Sequence, residues 1–427
     1  MNIEQICASL KAGSALLSLQ SADKKNKALS AVASAIGKRR EAILSANKTD
    51  TDKARAGGMS DALIERLALD NKKIDGILKS IQVIISQTDP VGIETAGWTT
   101  PNGMTIRQVR VPMGIVAVIY ESRPNVTADA FALAYKSGNA VLLRGSSSAL
   151  NSNKAIVSAI KEGLNSEEAD GCGIADAVEL APCESREEVT QILNAVGMID
   201  VALPRGGAGL INAVVSQAKI PVIQTGAGVC HLFVDESADL RMAADIAFNA
   251  KTQRPGACNA IECVLVHQNI ASSFLPILAD VFAGKVELRA DEECYSILSK
   301  TMTGRSDEAK LIRASDADWG FEFLDMKCSV RVVSGVDEAV LYINAHNTKH
   351  SDCIVTEDRS AARIFQAKVD AACVYVNCST RFTDGGEFGF GAELGISTQK
   401  LHARGPMGAQ ALTTTKFLID GDGQVRE

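Results

Sequence analysis

The chain has no CxxC pair, no excess of basic charge, only five histidines, and no apolar run near the roughly 18 residues a membrane span needs. Each absence removes a class of function. With 44 Lys and Arg against 51 Asp and Glu, and a net charge of −7, a general binder of nucleic acid or anionic membrane is excluded. The histidines are dispersed and only His346 and His350 share helical spacing, so no metal site is expected. Eleven cysteines, an odd number scattered from Cys7 to Cys378, suit a reducing compartment better than a disulfide framework. The first residues, Met1 to Cys7, lack a basic stretch followed by an apolar core, which predicts a cytoplasmic protein.

What is present is enough apolar sequence for two or three domains: 427 residues at 46% hydrophobic content exceed what one core organises. The first 90 residues read as helices, with Leu29, Val32, Ile36, Ile43 and Leu44 forming one apolar face. Around Asn102 and Gly103, the segment Gly97 to Val111 carries a hairpin signal. From Gly114 the pattern becomes alternating α/β, with strands predicted at Ile115 to Tyr120, Ala140 to Arg144, Ala177 to Leu180, Val201 to Leu203 and Val222 to Gln224. Helices are expected from about Val126 and Leu150. A second series starts near Val229 and includes Ile261 to Val266, Val330 to Val333, Cys353 to Val355 and Val374 to Val376. Such alternation indicates parallel sheets covered on both faces.

Chemistry concentrates at Cys258. Lys251, Arg254 and a Pro-Gly turn precede it closely, and a β-rich segment follows at Cys263 to His267. A free thiol titrates near 8.5, and adjacent positive charge that lowers this value makes cysteine a nucleophile. A cysteine that merely fills a core is the alternative. Two strand-to-helix turns offer anion sites: Leu143 to Ser148, with Arg144, Gly145 and Ser146, and Leu203 to Leu210, with Gly206 and Gly207. Neither contains a dinucleotide fingerprint or a phosphate-binding loop motif, and a solvated turn explains either one as well.

Val111 to Thr127, Lys136 to Gly145, Ile220 to Ile223, Cys258 with Asn259, Val376 to Gly389 and Ser397 to Met407, taken in order, resemble the gamma-glutamyl phosphate reductase family of the aldehyde dehydrogenase superfamily. The resemblance spans essentially the whole chain. It implies an α/β, aldehyde dehydrogenase-like fold: a Rossmann-type NADP-binding domain at 1–95 and 114–228, an α/β catalytic domain at 229–376, and a small oligomerisation region. That region comprises the hairpin 96–113 and the C-terminal segment 377–427, which also carries a substrate loop. The implied reaction is NADPH-dependent reduction of L-glutamyl 5-phosphate to L-glutamate 5-semialdehyde with loss of phosphate, the second step of proline biosynthesis from glutamate. A separate glutamate 5-kinase is the implied functional partner, and a homo-oligomer the implied assembly.

By the same resemblance, Cys258 is the nucleophile and Asn125 the oxyanion-binding asparagine. Arg144, Gly145 and Ser146 would meet the adenosine ribose and its phosphate, Gly206 and Gly207 the pyrophosphate, and Glu322 the nicotinamide ribose. Lys251 and Arg254 are candidates for the leaving phosphate; Ser379, Thr380, Arg381 and Asp384 for the glutamyl end. Asn125 reads equally as a turn residue after Pro124, Glu322 as a loop carboxylate, and the charged residues as structural ion pairs. Gln224 stands where hydrolytic relatives carry a glutamate base, and an amide cannot act as a general base at neutral pH. Asn347 replaces the family's usual glycine, a tolerable change because Asn accepts left-handed backbone angles. A hydrolytic or coenzyme-A-acylating aldehyde dehydrogenase would also use Cys258 but leaves Gln224 unexplained. A non-enzymatic binding protein would have no need of Cys258, Asn125 and both turns together.

Overall fold

In a computed structural model describing residues 2–182, 185–306 and 310–426, the chain divides into two compact units. The first holds the residues up to Thr225, Gly389–Gly395, and those from Pro406 onward. The second holds Gly226–Phe388 and Ile396–Gly405.

The first unit opens with the helices Ile3–Leu17, Ala22–Lys38, Arg40–Ala56, Asp61–Leu67 and Asn71–Ser86. The apolar face predicted from Leu29 to Leu44 is split between two of them. Arg39, at φ −89° and ψ 8°, ends one helix and caps the next. The predicted hairpin forms from Glu94–Thr99 and Thr105–Pro112, and Thr413–Asp420 adds a third antiparallel strand. Thr99 pairs with Thr105, so residues 100–104 make the turn. Gly103 takes φ +93° there, a left-handed angle glycine adopts without a Cβ penalty.

A four-stranded parallel sheet runs in the order Val178–Leu180, Ala140–Arg144, Ile115–Tyr120 and Val201–Arg205. Ile115–Tyr120 is buried along its length, as its unbroken apolar run requires for a strand covered on both faces. Ile119 pairs with Arg144 and Tyr120 with Arg205, so Glu121, Gly145 and Gly206 leave the sheet side by side at its carboxyl edge. Val222 to Gln224, predicted as a strand, makes only an isolated bridge from Val222 to Ala202. Pro221 has no N–H for a ladder, and the Thr225 hydroxyl turns back to the Pro204 carbonyl at 2.9 Å.

The second unit is built on a seven-stranded parallel sheet. Its order is Leu311–Arg313, Glu287–Ala290, Lys327–Val333, Ile261–His267, Cys230–Val234, Ser351–Val355 and Cys373–Val376. The strands at 287–290 and 311–313 were not anticipated; with four and three residues they are too short to display a period. Leu232, Val264, Phe274, Leu278 and Phe282 belong to one fully buried core, each such side chain contributing roughly 1.5–3 kcal/mol. Cys258 lies three residues before Ile261 and Gly228 two before Cys230, so the thiol turn stands at the amino edge of this sheet.

Candidate active site

In the second unit, Cys258 sits in the turn between the helix Leu240–Thr252 and the strand Ile261–His267, half-buried and outside any disulfide. Its backbone is held tightly. The Cys230 thiol donates to the Cys258 carbonyl at 3.3 Å, and a Cβ on Gly228 would fall 1.4 Å from that same oxygen, so only glycine fits there.

The loop Ser379–Thr383 is stitched to this turn by the next residue, Asn259. Its amide donates to the carbonyl of Thr383 at 2.8 Å and that of Arg381 at 3.3 Å, while the Thr380 hydroxyl donates to the Asn259 carbonyl at 2.7 Å. Ser379 accepts the Arg381 N–H at 3.3 Å, and Arg381 Nε donates to Gln253 Oε1 at 2.7 Å. Burial holds the Arg381 guanidinium below the usual arginine range. Exposed Arg254 pushes the same way, whereas the Cys258 thiol and Asp384 oppose it. Arg254, Cys258 and Asp384 are thus all close enough to Arg381 to act on its charge. The Asp384 carboxylate also closes its own turn, accepting the Gly386 N–H at 2.8 Å.

Lys251 is placed otherwise. Its side chain is 0% exposed, and its ammonium lies 2.5 Å from the Glu262 carboxylate, itself 1% exposed. A committed, fully buried ammonium is not available to a leaving phosphate, which leaves Arg254 as the candidate for that role. Burial lifts the Glu262 carboxyl to about 7 against the pull of Lys251, and its other oxygen accepts the Leu324 N–H at 3.2 Å. Glu322 accepts the Gly228 N–H at 2.6 Å, its carboxyl raised mainly by burial. Sequence reasoning assigned no role to Gly228, Cys230, Asn259 or Glu262. The signal for Glu262 was a lone charge in an otherwise apolar, two-sided strand, which must find a partner.

In the first unit, Asn125 opens the helix Asn125–Lys136, and its amide donates to Asp129 at 3.2 Å. Burial raises the Asp129 carboxyl, against hydrogen bonds from Ser80 and Asn125 and the charge of Arg205. Arg144 ends its strand; one guanidinium nitrogen donates to the Ser185 carbonyl at 3.3 Å while Nε is buried without a hydrogen-bond partner. The Ser146 hydroxyl bonds that of Ser148 at 2.8 Å, and Ser148 that of Ser122 at 2.6 Å. Gly145 packs where a Cβ would meet Asn153 and the Tyr120 ring. Gly206 and Gly207 lead into the ten-residue helix Ala208–Gln217, and the Gly207 N–H donates to the Glu121 carboxylate at 3.0 Å. That carboxylate occupies an anion position at a helix N-terminus, standing in for the kind of group a pyrophosphate presents. The Arg144 Nε without a partner and this carboxylate are chemically compatible with a phosphorylated ligand. Gln224 is half-buried, beyond the helix Ala208–Gln217 and two residues after the bridge from Val222 to Ala202.

Among the described residues no helix is long and apolar enough to cross a membrane, and no three His, Cys, Asp or Glu side chains cluster as metal ligands. Residues 1–294 match the model of the aldehyde dehydrogenase family. A gamma-glutamyl phosphate reductase of Lachnospira eligens is 48% identical over 427 residues, covering all of both chains. One from Treponema pallidum is 51% identical, covering 99% of each. The crystal structure of a gamma-glutamyl phosphate reductase from Thermotoga maritima superposes with a TM-score of 0.94 at 45% identity, over the full length of both.

Proposed function

The chain belongs to the aldehyde dehydrogenase family, alongside the gamma-glutamyl phosphate reductases it matches from end to end, and from this premise we propose a mechanism centred on Cys258. The protein is an oxidoreductase that acts on an acyl phosphate, reducing L-glutamyl 5-phosphate to L-glutamate 5-semialdehyde in proline biosynthesis. The observation that carries the mechanism is the thiol turn itself: Gly228 and Cys230 lock the Cys258 carbonyl, and Asn259 ties the turn to the loop that bears Arg381.

The Cys258 thiolate adds to the acyl carbon, the C=O electron pair moving onto oxygen; collapse of that tetrahedral oxyanion re-forms C=O as the C–O bond to phosphate breaks, and phosphate leaves with the electron pair, giving the thioester. Arg254 receives that dianion, since a guanidinium suits phosphate geometry. The transient oxyanion is held by the Asn125 amide and the Cys258 N–H, and loss of one such donor costs about 100- to 1,000-fold in turnover. Arg381 pairs with the substrate's α-carboxylate and Asp384 with its ammonium, with Ser379 and Thr380 shaping the loop. NADPH, when bound, supplies the hydride that reduces the thioester. Arg144, Gly145, Ser146, Gly206 and Gly207 would hold its phosphates and adenosine ribose, and Glu322 its nicotinamide ribose. The proposed domain roles are cofactor binding in the first unit, whose bound at Thr225 stands close to the expected 228, and catalysis in the second, which runs past the expected 376 to include the 379–383 loop.

The direct test supplies the acyl phosphate in situ from glutamate and a glutamate 5-kinase, the functional partner expected in the same cytoplasm. NADPH consumption matched by phosphate release and trappable semialdehyde is expected. Consumption without semialdehyde rejects the reaction. Arg144 provides a narrower check on the cofactor. A charge-assisted contact to the ribose phosphate is worth roughly 1.5–3 kcal/mol, or about 10- to 150-fold in affinity. Arg144→Ala should weaken NADPH by that factor and NADH far less, read by fluorescence titration; equal losses assign Arg144 to structure.

Assembly through the three-stranded sheet completes the reading. Its edge strand Glu94–Thr99 is exposed throughout, and Trp98 on that strand meets Phe417 of the opposite edge strand Thr413–Asp420 edge to face, both still exposed. An unpaired edge with aromatic side chains is a surface for a second copy. A strictly monomeric protein in sedimentation would reject it.

A further inference from the structure

We propose that the buried Lys251–Glu262 pair is a positioning device for Cys258, fixing the backbone on which the thiol stands through the Leu324 N–H and the Glu322–Gly228 bond. The proposal rests on the reading of Cys258 as nucleophile. Lys251 lies in the last turn of the helix that leads into the thiol turn, and Glu262 in the strand that leads out, so their 2.5 Å contact clamps both ends of the turn. Neither side chain reaches solvent, and neither meets substrate in the proposed mechanism.

The clamp extends beyond the turn. Glu262 spends one oxygen on Lys251 and the other on the N–H of Leu324, at 3.2 Å. Leu324 has φ +53°, a left-handed angle that a leucine holds only where its surroundings impose it. Two residues earlier, Glu322 accepts the N–H of Gly228 at 2.6 Å. Gly228 in turn lies against the Cys258 main chain, so close that a Cβ would overlap the carbonyl carbon at 2.4 Å and approach Cα at 2.9 Å. A continuous path of contacts therefore runs from Lys251 through Glu262, the 322–324 loop and Gly228 to Cys258. A nucleophile placed wrongly by a fraction of an ångström loses rate without losing substrate affinity. Lys251 and Glu262 act through others and are positioning residues.

Two double variants separate this role from a purely structural one. Lys251→Met with Glu262→Gln removes the ion pair but leaves an amide oxygen to accept from Leu324; Lys251→Met with Glu262→Leu removes both. Each replaces the buried charges by groups of similar volume, which a fold commonly tolerates. The glutamine double is expected to be alkylated by iodoacetamide at Cys258, and to turn over, about tenfold faster than the leucine double, at KM values within about twofold of each other. Equal rates in the two doubles would overturn the proposal. Hydrogen exchange on the unsubstituted protein supplies an arm independent of variant folding. The Gly228 and Leu324 amides should be protected by about 100-fold or more, and exchange at either site as fast as in an open chain would also overturn it. If iodoacetamide shows no preference for Cys258 in the unsubstituted protein, the nucleophile reading itself fails, an outcome distinct from equal rates in the doubles.

Discussion

Cys258→Ser is expected to abolish reduction of the acyl phosphate while leaving NADPH affinity within about twofold, because an alkoxide is far harder to generate at neutral pH than a thiolate. More than about a tenth of the original turnover in the serine variant would be incompatible with a thioester. The other thiols sharpen the test. Burial raises those of Cys7, Cys230, Cys263, Cys294, Cys328, Cys353, Cys373 and Cys378, so each carries less thiolate at neutral pH than an ordinary cysteine. Iodoacetamide should therefore modify Cys258 ahead of these eight. Mass spectrometry that finds several of these positions labelled at the same rate would remove the basis for an activated thiol.

The second large effect concerns Gln224. Run in reverse, the protein should oxidise glutamate semialdehyde with NADP only when phosphate or arsenate is supplied. A general base contributes about 100- to 10,000-fold to such a step, and an amide at that position withholds it from water. The rate with phosphate should thus exceed the rate without by about 100-fold or more. Steady NADP reduction in phosphate-free buffer, with free glutamate as product, would show that water clears the thioester and that Gln224 is not a vacated base position.

Much of the fold was legible because long, periodic segments carry their own signal. Ile115–Tyr120 is an unbroken apolar run and proved a central strand, and the Asn102-Gly103 pair lies in the turn of a real hairpin. Val222 to Gln224 misled because a short apolar stretch after a proline looks like a strand, yet Pro221 itself has no N–H and the pairing stops at a single bridge. At the site, Cys258 announced itself through its local cations. Lys251 was harder, since a cation seven residues before a thiol suggests a phosphate ligand. Helical spacing held the contrary sign: Ala244 and Ala247 precede it by seven and four residues and are both buried, so Lys251 falls on the inward face. Asn259 and Gly228 gave no such sign. Their contacts reach the 379–383 loop and the Cys258 carbonyl across more than a hundred and about thirty residues of chain, and pairings of that range leave no periodic trace.

The Gly228 contact has a genetic corollary. A glycine codon is defined by its first two bases, and every missense change at either introduces a Cβ, which at this position would lie 1.4 Å from a carbonyl oxygen. In a library selected for growth without proline, changes at the third base of this codon should survive freely, while missense changes at the first two should vanish. Gly209, where a Cβ would meet nothing within 4 Å, should tolerate alanine in the same library. The two glycines look alike in the written chain; selection would tell them apart.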